Sequence, residues 1–356
     1  MRCSIDIYSV RPKEPEALKQ DESANNTTPP IVWNWRYGLT DEKAKALYKK
    51  AVSEQWQADH LNWDFVIDPA RNLLNPSRET LIDATLLTQL SNSQRQQFES
   101  LCVAETLSQT LHGEQGALLV SCQLAQCLPE TDAKLFSASQ AMDEARHIDV
   151  FSRYIHRLNE VYDPATTLCR VLDKIMSASH WQAKMVGMHI MVEGLALSNF
   201  SKIRATTSCD LLRDLLKLVM RDEARHVAFG NHQIKKILSE MHSDDRAEVE
   251  DFAVDIVREY RLWGRDPGDL ANFFCNLIKV GVDPLDYIAQ LKANLASTGF
   301  VALAPKMMQG LEAIIMPGLH RVGLISDRVR PYYLADEIKS INDLHTLEEL
   351  EKGLLE

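Results

Sequence analysis

Apolar residues recur at three- and four-residue intervals along most of the chain, the period of one face of an α-helix. The pattern predicts helices over residues 40–56, 81–90, 93–128, 132–158, 164–177, 180–204, 210–242 and 243–264. Thr40 with Asp41 and Ser243-Asp244-Asp245 supply start signals for the first and last of these. Pro129-Glu130-Thr131 reads as one tight turn between long helices. Residues 206–210 read as another, with Ser208 or Asp210 as the N-cap of the helix that follows. The fold class expected is therefore all-α. Residues 1–30, closing on the polar run DESANNTTPP, read as a peripheral segment and linker. Residues 31–37, with two tryptophans, read as an extended stretch packed on the helices. Residues 265–356 read as a helical extension broken at Pro267, Pro284, Pro305 and Pro317. Its apolar run 300–318 holds Met307, Met308 and Met316. These are ordinary gap-filling core or the flexible wall of an apolar substrate channel.

Within this frame one phrase is written twice. Asp143-Glu144-Ala145-Arg146-His147 recurs as Asp222-Glu223-Ala224-Arg225-His226, and an offset of 79 residues carries one onto the other. A further glutamate stands 30 residues before each motif glutamate, Glu114 before Glu144 and Glu193 before Glu223. Glu and His three apart on a helix share a face one turn apart, so each motif can offer an oxygen and a nitrogen to a metal. Glu114 and Glu193 come from two other helices, and the 30-residue spacing allows a helix to run on, turn and return at the same height. A Glu from each of two helices and Glu-x-x-His from two more is a di-metal site at the axis of a four-helix bundle.

Carboxylates with a minority of imidazoles suit iron or manganese. Glu114, Glu144 and His147 are expected on one metal and Glu193, Glu223 and His226 on the other, with Glu144 and Glu223 bridging. Asp143 and Asp222 are expected to accept the second ring N–H of a ligand histidine across the bundle, and Arg146 and Arg225 to pair with them. A single Glu-x-x-His usually marks a solvated face. Two copies at equal distance from two glutamates, among apolar neighbours such as Val120 and Met191, instead place carboxylates in the core, where they need a partner. His189, four residues before Glu193, is an extra ligand, a hydrogen-bond donor behind the ligands, or a core histidine held by a neighbour. His112 and His180 read as structural, and Phe151 and Phe229 as apolar shielding. Gly116 and Gly194, mid-helix after the single glutamates, mark close packing or room for a small molecule.

Both motifs have the D-E-x-R-H form, which resembles the ferritin-like superfamily of carboxylate-bridged di-iron proteins. They are similar to the hydroxylases of bacterial multicomponent monooxygenases, acyl-carrier-protein desaturases, arylamine N-oxygenases and the small subunit of ribonucleotide reductase. Gln55-Trp56-Gln57-Ala58-Asp59 and Trp63-Asp64 resemble the entry helix of the reductase type. The resemblance implies a ferritin-like bundle over residues 31–264. It also implies two Fe ions per chain, with Mn/Fe as the alternative, and O2 as co-substrate. Departures are specific. Phe151 stands where the reductase subunit has its radical tyrosine, Leu197 where the hydroxylases have a threonine, and Val219 where the arylamine N-oxygenases have an extra histidine. Ser198 is one step round the helix from Leu197. The reacting cavity is expected near Leu118, Phe151, Leu197 and Ser198.

Composition bounds the rest. The 356 residues carry a net charge of −11, which argues against nucleic-acid partners. No stretch reaches the length of a membrane span. Seven cysteines without C-x-x-C spacing, and no signal-like N-terminus, suggest a reducing, cytoplasmic setting. Nothing in the chain resembles a flavin or iron–sulfur site, so an external donor of the ferredoxin or reductase type is implied. The reading is an O2-dependent oxygenase that hydroxylates or N-oxygenates a small molecule, with a homodimer implied by resemblance. A desaturase or oxidase on an acyl or carrier-bound substrate, an iron-handling ferroxidase and a radical subunit are the alternatives.

Overall fold

A computed structural model describes residues 31–35, 37–64, 89–264, 266–298 and 311–335. Residues 81–88 of the expected helix over 81–90, most of the 300–318 run with Met307 and Met308, and the two chain ends lie outside these. Among the described residues the regular structure is helical, without a β-strand.

Helix α1 (Glu42–Ser53) starts at Asp41, whose carboxylate accepts the Ala44 N–H at 3.0 Å. Helix α2 (Asn92–Cys127) is opened by a reciprocal cap, in which Ser91 Oγ accepts the Gln94 N–H and Gln94 Oε1 accepts the Ser91 N–H. Its 36 residues make a rod of about 54 Å. Helix α3 (Thr131–Leu158) returns antiparallel to it after a turn at Leu128-Pro129-Glu130. Helix α4 (Thr166–Ser177) leads to α5, residues 181–206, and α6 (Asp210–Leu238) pairs with α5. Helix α7 is Ser243–Leu262, α8 Pro267–Lys279, α9 Pro284–Thr298, α10 Met316–Val322 and α11 Arg330–Ala335.

The long rods α2, α3, α5 and α6 form the bundle. Helix α5 departs from uniform α geometry. Trp181–Met185 is α-helical, Val186–Val192 is a π-helical stretch, and Glu193–Thr206 is α-helical again. The wider turn rotates Glu193 and His189 relative to the spacing of a regular helix.

Local corrections to the sequence reading have simple causes. The N-cap of α6 is Cys209, without a side-chain bond, and not Ser208 or Asp210; Asp210 lies in the first turn instead. The N-cap of α7 is His242, and Ser243 is its first helical residue. Pro267 and Pro284 open helices where the sequence suggested breaks, because the first turn needs no proline N–H. The described residues of the 31–37 stretch are non-helical and tied to the bundle by Val32 N–H to Gln126 O at 3.1 Å and Asn34 Nδ2 to Pro129 O at 2.9 Å. Its tryptophans do not pack inward. Trp33 and Trp35 stack on each other at 5.1 Å and remain 72% exposed.

Two apolar clusters fill the bundle. One holds Phe136 and Phe229, stacked at 4.2 Å, with Met188, Met191 and Leu124. The other holds Phe151, Phe200, Leu107, Leu215 and Val219. Phe136 precedes the first motif and Phe229 follows the second, so α3 and α6 run antiparallel. The Asp, Glu, Arg and His of both motifs are therefore buried at the level between the two clusters, while Ala145 and Ala224 are exposed. A third cluster, with Phe98, Phe274, Leu277 and Ile288, attaches α8 and α9 to the outer face of α2.

Candidate metal centre

Helix α2 contributes Glu114, α3 Glu144 and His147, α5 Glu193, and α6 Glu223 and His226. None of the six is more than 4% exposed. Their ligand atoms form two overlapping groups, each within 4.8 Å: Glu114, Glu144, His147 and Glu223, and Glu144, Glu193, Glu223 and His226. Glu144 and Glu223 belong to both. His147 Nδ1 lies 3.2 Å from Glu144 Oε2 and 3.1 Å from Glu223 Oε1. His226 Nδ1 lies 3.1 Å from Glu144 Oε1 and 3.4 Å from Glu223 Oε2. Each motif carboxylate thus turns one oxygen towards each imidazole.

Bonding at the opposite ring nitrogens fixes which atom faces inward. His147 Nε2 meets Asp222 Oδ2 at 3.3 Å and His226 Nε2 meets Asp143 Oδ2 at 3.3 Å, each pair crossing between motifs. A carboxylate can only accept, so Nε2 carries the proton and Nδ1 points at the glutamates. Arg146 ion-pairs with Asp143 and, at 3.0 Å, with Asp222; Arg225 ion-pairs with Asp222 and, at 3.5 Å, with Asp143. Two buried cations thus offset two buried anions.

The sequence reading missed the outer partners of this ring. Gln55 Nε2 donates to Asp143 Oδ1 at 2.9 Å, and Trp56 Nε1 donates to Asp222 Oδ2 at 2.6 Å, with the Arg146 guanidinium 4.6 Å from the indole centre. Glu54 Oε2 accepts from Arg225 at 2.9 Å. All three follow α1, about 90 residues or more from the motifs; the resemblance at Gln55-Trp56 signalled two of them, and nothing signalled Glu54.

The electrostatics show a site that needs cations. Burial and the neighbouring Glu223 charge push Glu114 and Glu193 well above the usual carboxylate range. Burial also acts on Glu144, but the imidazoles of His226 and His147 outweigh it and hold that carboxyl well below its ordinary value. Burial disfavours charged His147 and His226, yet Glu114 beside the first and Glu144 beside the second raise both. Glu193 Oε2, both oxygens of Glu223 and His226 Nδ1 are buried without a hydrogen-bond partner. Orphaned oxygens and a ring nitrogen converging on common points are hard, oxygen-rich donors that fit iron or manganese.

His189 does not join either group. Its Nε2 meets Gln140 Oε1 at 2.9 Å, and burial, aided by the His226 charge, pulls its pKa down to about 3. The extra-ligand reading therefore gives way to that of a core histidine held by a neighbour. Phe151 is wholly buried and stacks on Phe200 at 5.6 Å, while Leu118, Leu197 and Ser198 are half-buried. Val219 is wholly buried among apolar side chains. Gly116 faces Leu172, whose Cδ2 would lie 2.6 Å from an added Cβ, so close packing accounts for it. His112 bonds Tyr162 O at 2.8 Å and His180 pairs with Glu248 at 2.7 Å, both away from the site.

An antiparallel helical bundle with a buried, two-fold repeated carboxylate–histidine cluster defines a ferritin-like protein of the carboxylate-bridged di-iron class. Residues 39–261 match the family described as P-aminobenzoate N-oxygenase AurF, and the chain belongs to that family. The match opens just before α1 and closes near the end of α7. Among solved structures, the chain is similar to a single-residue variant of an R2-like ligand-binding oxidase with anaerobically reconstituted Mn/Fe cofactor. That likeness has 16% identity and a TM-score of 0.46, over 82% of this chain and 99% of that one. It is also similar to an R2-like ligand-binding oxidase with aerobically reconstituted metal cofactor after photoconversion, at 15% identity and TM-score 0.42, over 90% and 98%. No curated protein matches the sequence. Among the described residues no helix is long and apolar enough to cross a membrane.

Proposed function

We propose that this oxygenase-family protein is a di-iron enzyme that N-oxygenates a small aromatic amine. One observation carries the metal assignment: Glu144 and Glu223 belong to both ligand groups, and both Glu223 oxygens are buried without a partner. Glu114, Glu144, His147, Glu193, Glu223 and His226 would hold the two metals, Glu144 and Glu223 being common to both ligand groups. Asp222 and Asp143 keep the proton on Nε2 of His147 and His226, so that Nδ1 is free to ligate. Arg146 and Arg225 keep those aspartates charged and in place. The two apolar clusters exclude water on both sides along the bundle, and Leu118, Phe151, Leu197 and Ser198 form the substrate side. When bound, the irons supply dioxygen activation, which no side chain alone provides. The amine class comes from the family, whose named substrate is p-aminobenzoate. The first oxygenation takes the amine, O2, two electrons and two protons to the aryl hydroxylamine and water, so an external reductant of the ferredoxin type is part of the system.

The test is anaerobic Fe(II) loading, metal analysis and exposure to O2 with a reductant and a panel of aromatic amines. About two irons per chain, with an N-oxygenated product, is the expected result. At most one iron per chain overturns the di-metal assignment. Two irons with no amine product, but with iron mineral accumulating, overturns the oxygenase reading in favour of iron handling.

A further inference from the structure

Gln140 sits one turn before Glu144 on α3 and is wholly buried. Its Nε2 donates to Glu193 Oε1 at 2.7 Å and to Glu144 Oε1 at 3.1 Å, while its Oε1 meets His189 Nε2 at 2.9 Å. The polarity of this chain is forced. Ionised as metal ligation requires, both carboxylates only accept, so the amide must turn its nitrogen to them. The amide oxygen then faces His189, whose Nε2 must donate. His189 is itself held. It lies on the π-helical stretch of α5 against Gly230 of α6, where an added Cβ would come within 2.3 Å of the His189 Cβ.

The consequence falls on one half of the site. Glu193 has Oε1 engaged by the amide and only Oε2 without a partner. Glu114, its counterpart, instead meets the ring of His147 at 3.2 Å. The offset of 79 that relates the motifs carries Gln140 onto Val219, a wholly buried apolar residue, so the second half of the repeat has no such donor.

We propose that Gln140, oriented by His189, is a positioning residue that makes the two metal positions unequal. It holds Glu193 as a one-oxygen donor and prebuilds the position formed by Glu144, Glu193, Glu223 and His226. This rests on the di-metal reading above. Neither residue touches substrate in this proposal; both act through Glu193.

The experiment is anaerobic Mn(II) titration of the metal-free full chain, with free Mn(II) followed by electron paramagnetic resonance. The variants are Gln140→Met, which keeps the length and removes the donor, His189→Phe, and His189→Gln, which keeps an N–H for the amide oxygen. Loss of a hydrogen bond to a ligand typically weakens metal binding about 10–100-fold. Q140M and H189F are expected to weaken one of the two Mn(II) sites by about that factor and leave the other within about threefold. The double variant should be no weaker than Q140M, and H189Q should restore most of the loss. Two sites in the parent that Q140M leaves unchanged, or weakens equally, would overturn the clamp while leaving the di-metal reading intact. Fewer than two sites in the parent chain would overturn both.

Discussion

Glu223 presents a buried carboxylate with neither oxygen in a hydrogen bond, although His147 Nδ1 and His226 Nδ1 lie 3.1 and 3.4 Å away, and this is costly unless a cation is there. Burial raises Glu114 and Glu193, and the Glu223 charge adds to it. Glu223→Gln should therefore divide two properties that usually move together. The metal-free protein should gain about 1–3 kcal/mol of stability, because the change removes the carboxylate charge that acts against Glu114 and Glu193. Metal affinity should fall by about 100-fold or more, since this donor belongs to both positions. Denaturant melts of the metal-free chain and the Mn(II) titration measure the two; a variant less stable without metal would refute the argument. Gly230→Ala probes the wall behind His189. An added Cβ cannot coexist with His189 where it stands, so a cost of about 1–3 kcal/mol in chemical denaturation is expected. At this scale the sequence was legible where chemistry repeats. The motif pair and its two preceding glutamates mark six residues that the fold brings together. Gln140 was not legible, because an amide one turn from a glutamate is ordinary on any helix. Trp56 and Gln55 act on Asp222 and Asp143 across the fold, where spacing along the chain carries no information.

Helix α1 shows how an element outside the bundle braces the site. Asp41 caps it and also binds α6, through His232 Nε2 at 2.8 Å and Lys236 Nζ at 3.1 Å, while its own N–H donates to Asp132 of α3 at 2.8 Å. The same helix delivers Glu54, Gln55 and Trp56 to the arginine–aspartate ring. Burial pushes the Asp41 carboxyl up, but the Ala44 N–H, His232 and Lys236 outweigh it and bring its pKa down to about 2 from 3.8. A carboxyl depressed in the folded state contributes stability that is complete above the unfolded value and is lost as pH falls. Asp41 should thus contribute about 1 kcal/mol, after allowance for solvent screening, that disappears between about pH 4 and pH 2. Asp41→Ala should cost about 1–2 kcal/mol at pH 7. Its stability difference from the parent should shrink below pH 4; a difference constant across that range would contradict the assignment. Helix existence and type were readable from period and caps, to within a residue or two for α2 and α3. The cap positions of α6 and α7 were not, because backbone conformation decides among adjacent polar residues. Nor was the π-helical stretch, since an apolar run such as Val186–Val192 has the same period whichever carbonyl each N–H chooses.

Across the whole molecule, four rods bring four carboxylates and two imidazoles to one level between two apolar clusters. Packing of Phe136 on Phe229 at one side and Phe151 on Phe200 at the other forces the carboxylates together. Without metal this arrangement works against electrostatics; with metal it becomes a cross-link between α2, α3, α5 and α6. A ligand that binds only the folded chain stabilises it by mass action, about 2.7 kcal/mol when its free concentration is 100 times the dissociation constant. Anaerobic Fe(II) or Mn(II) should therefore raise the melting temperature by several degrees, and a chelator should reverse the shift. The size of the shift should depend on metal concentration, and Glu223→Gln should abolish it while melting higher than the parent in the metal-free state. Asp41→Ala should lower both melts and leave the metal-induced shift nearly intact, because it weakens the brace without removing a ligand. If metal instead left the parent unchanged, the buried charges would have to be satisfied by their own imidazolium and guanidinium partners. The repeated motif would then be an ion-pair network joining α3 to α6, and Glu223→Gln would be the variant to show it by destabilising the chain with or without metal.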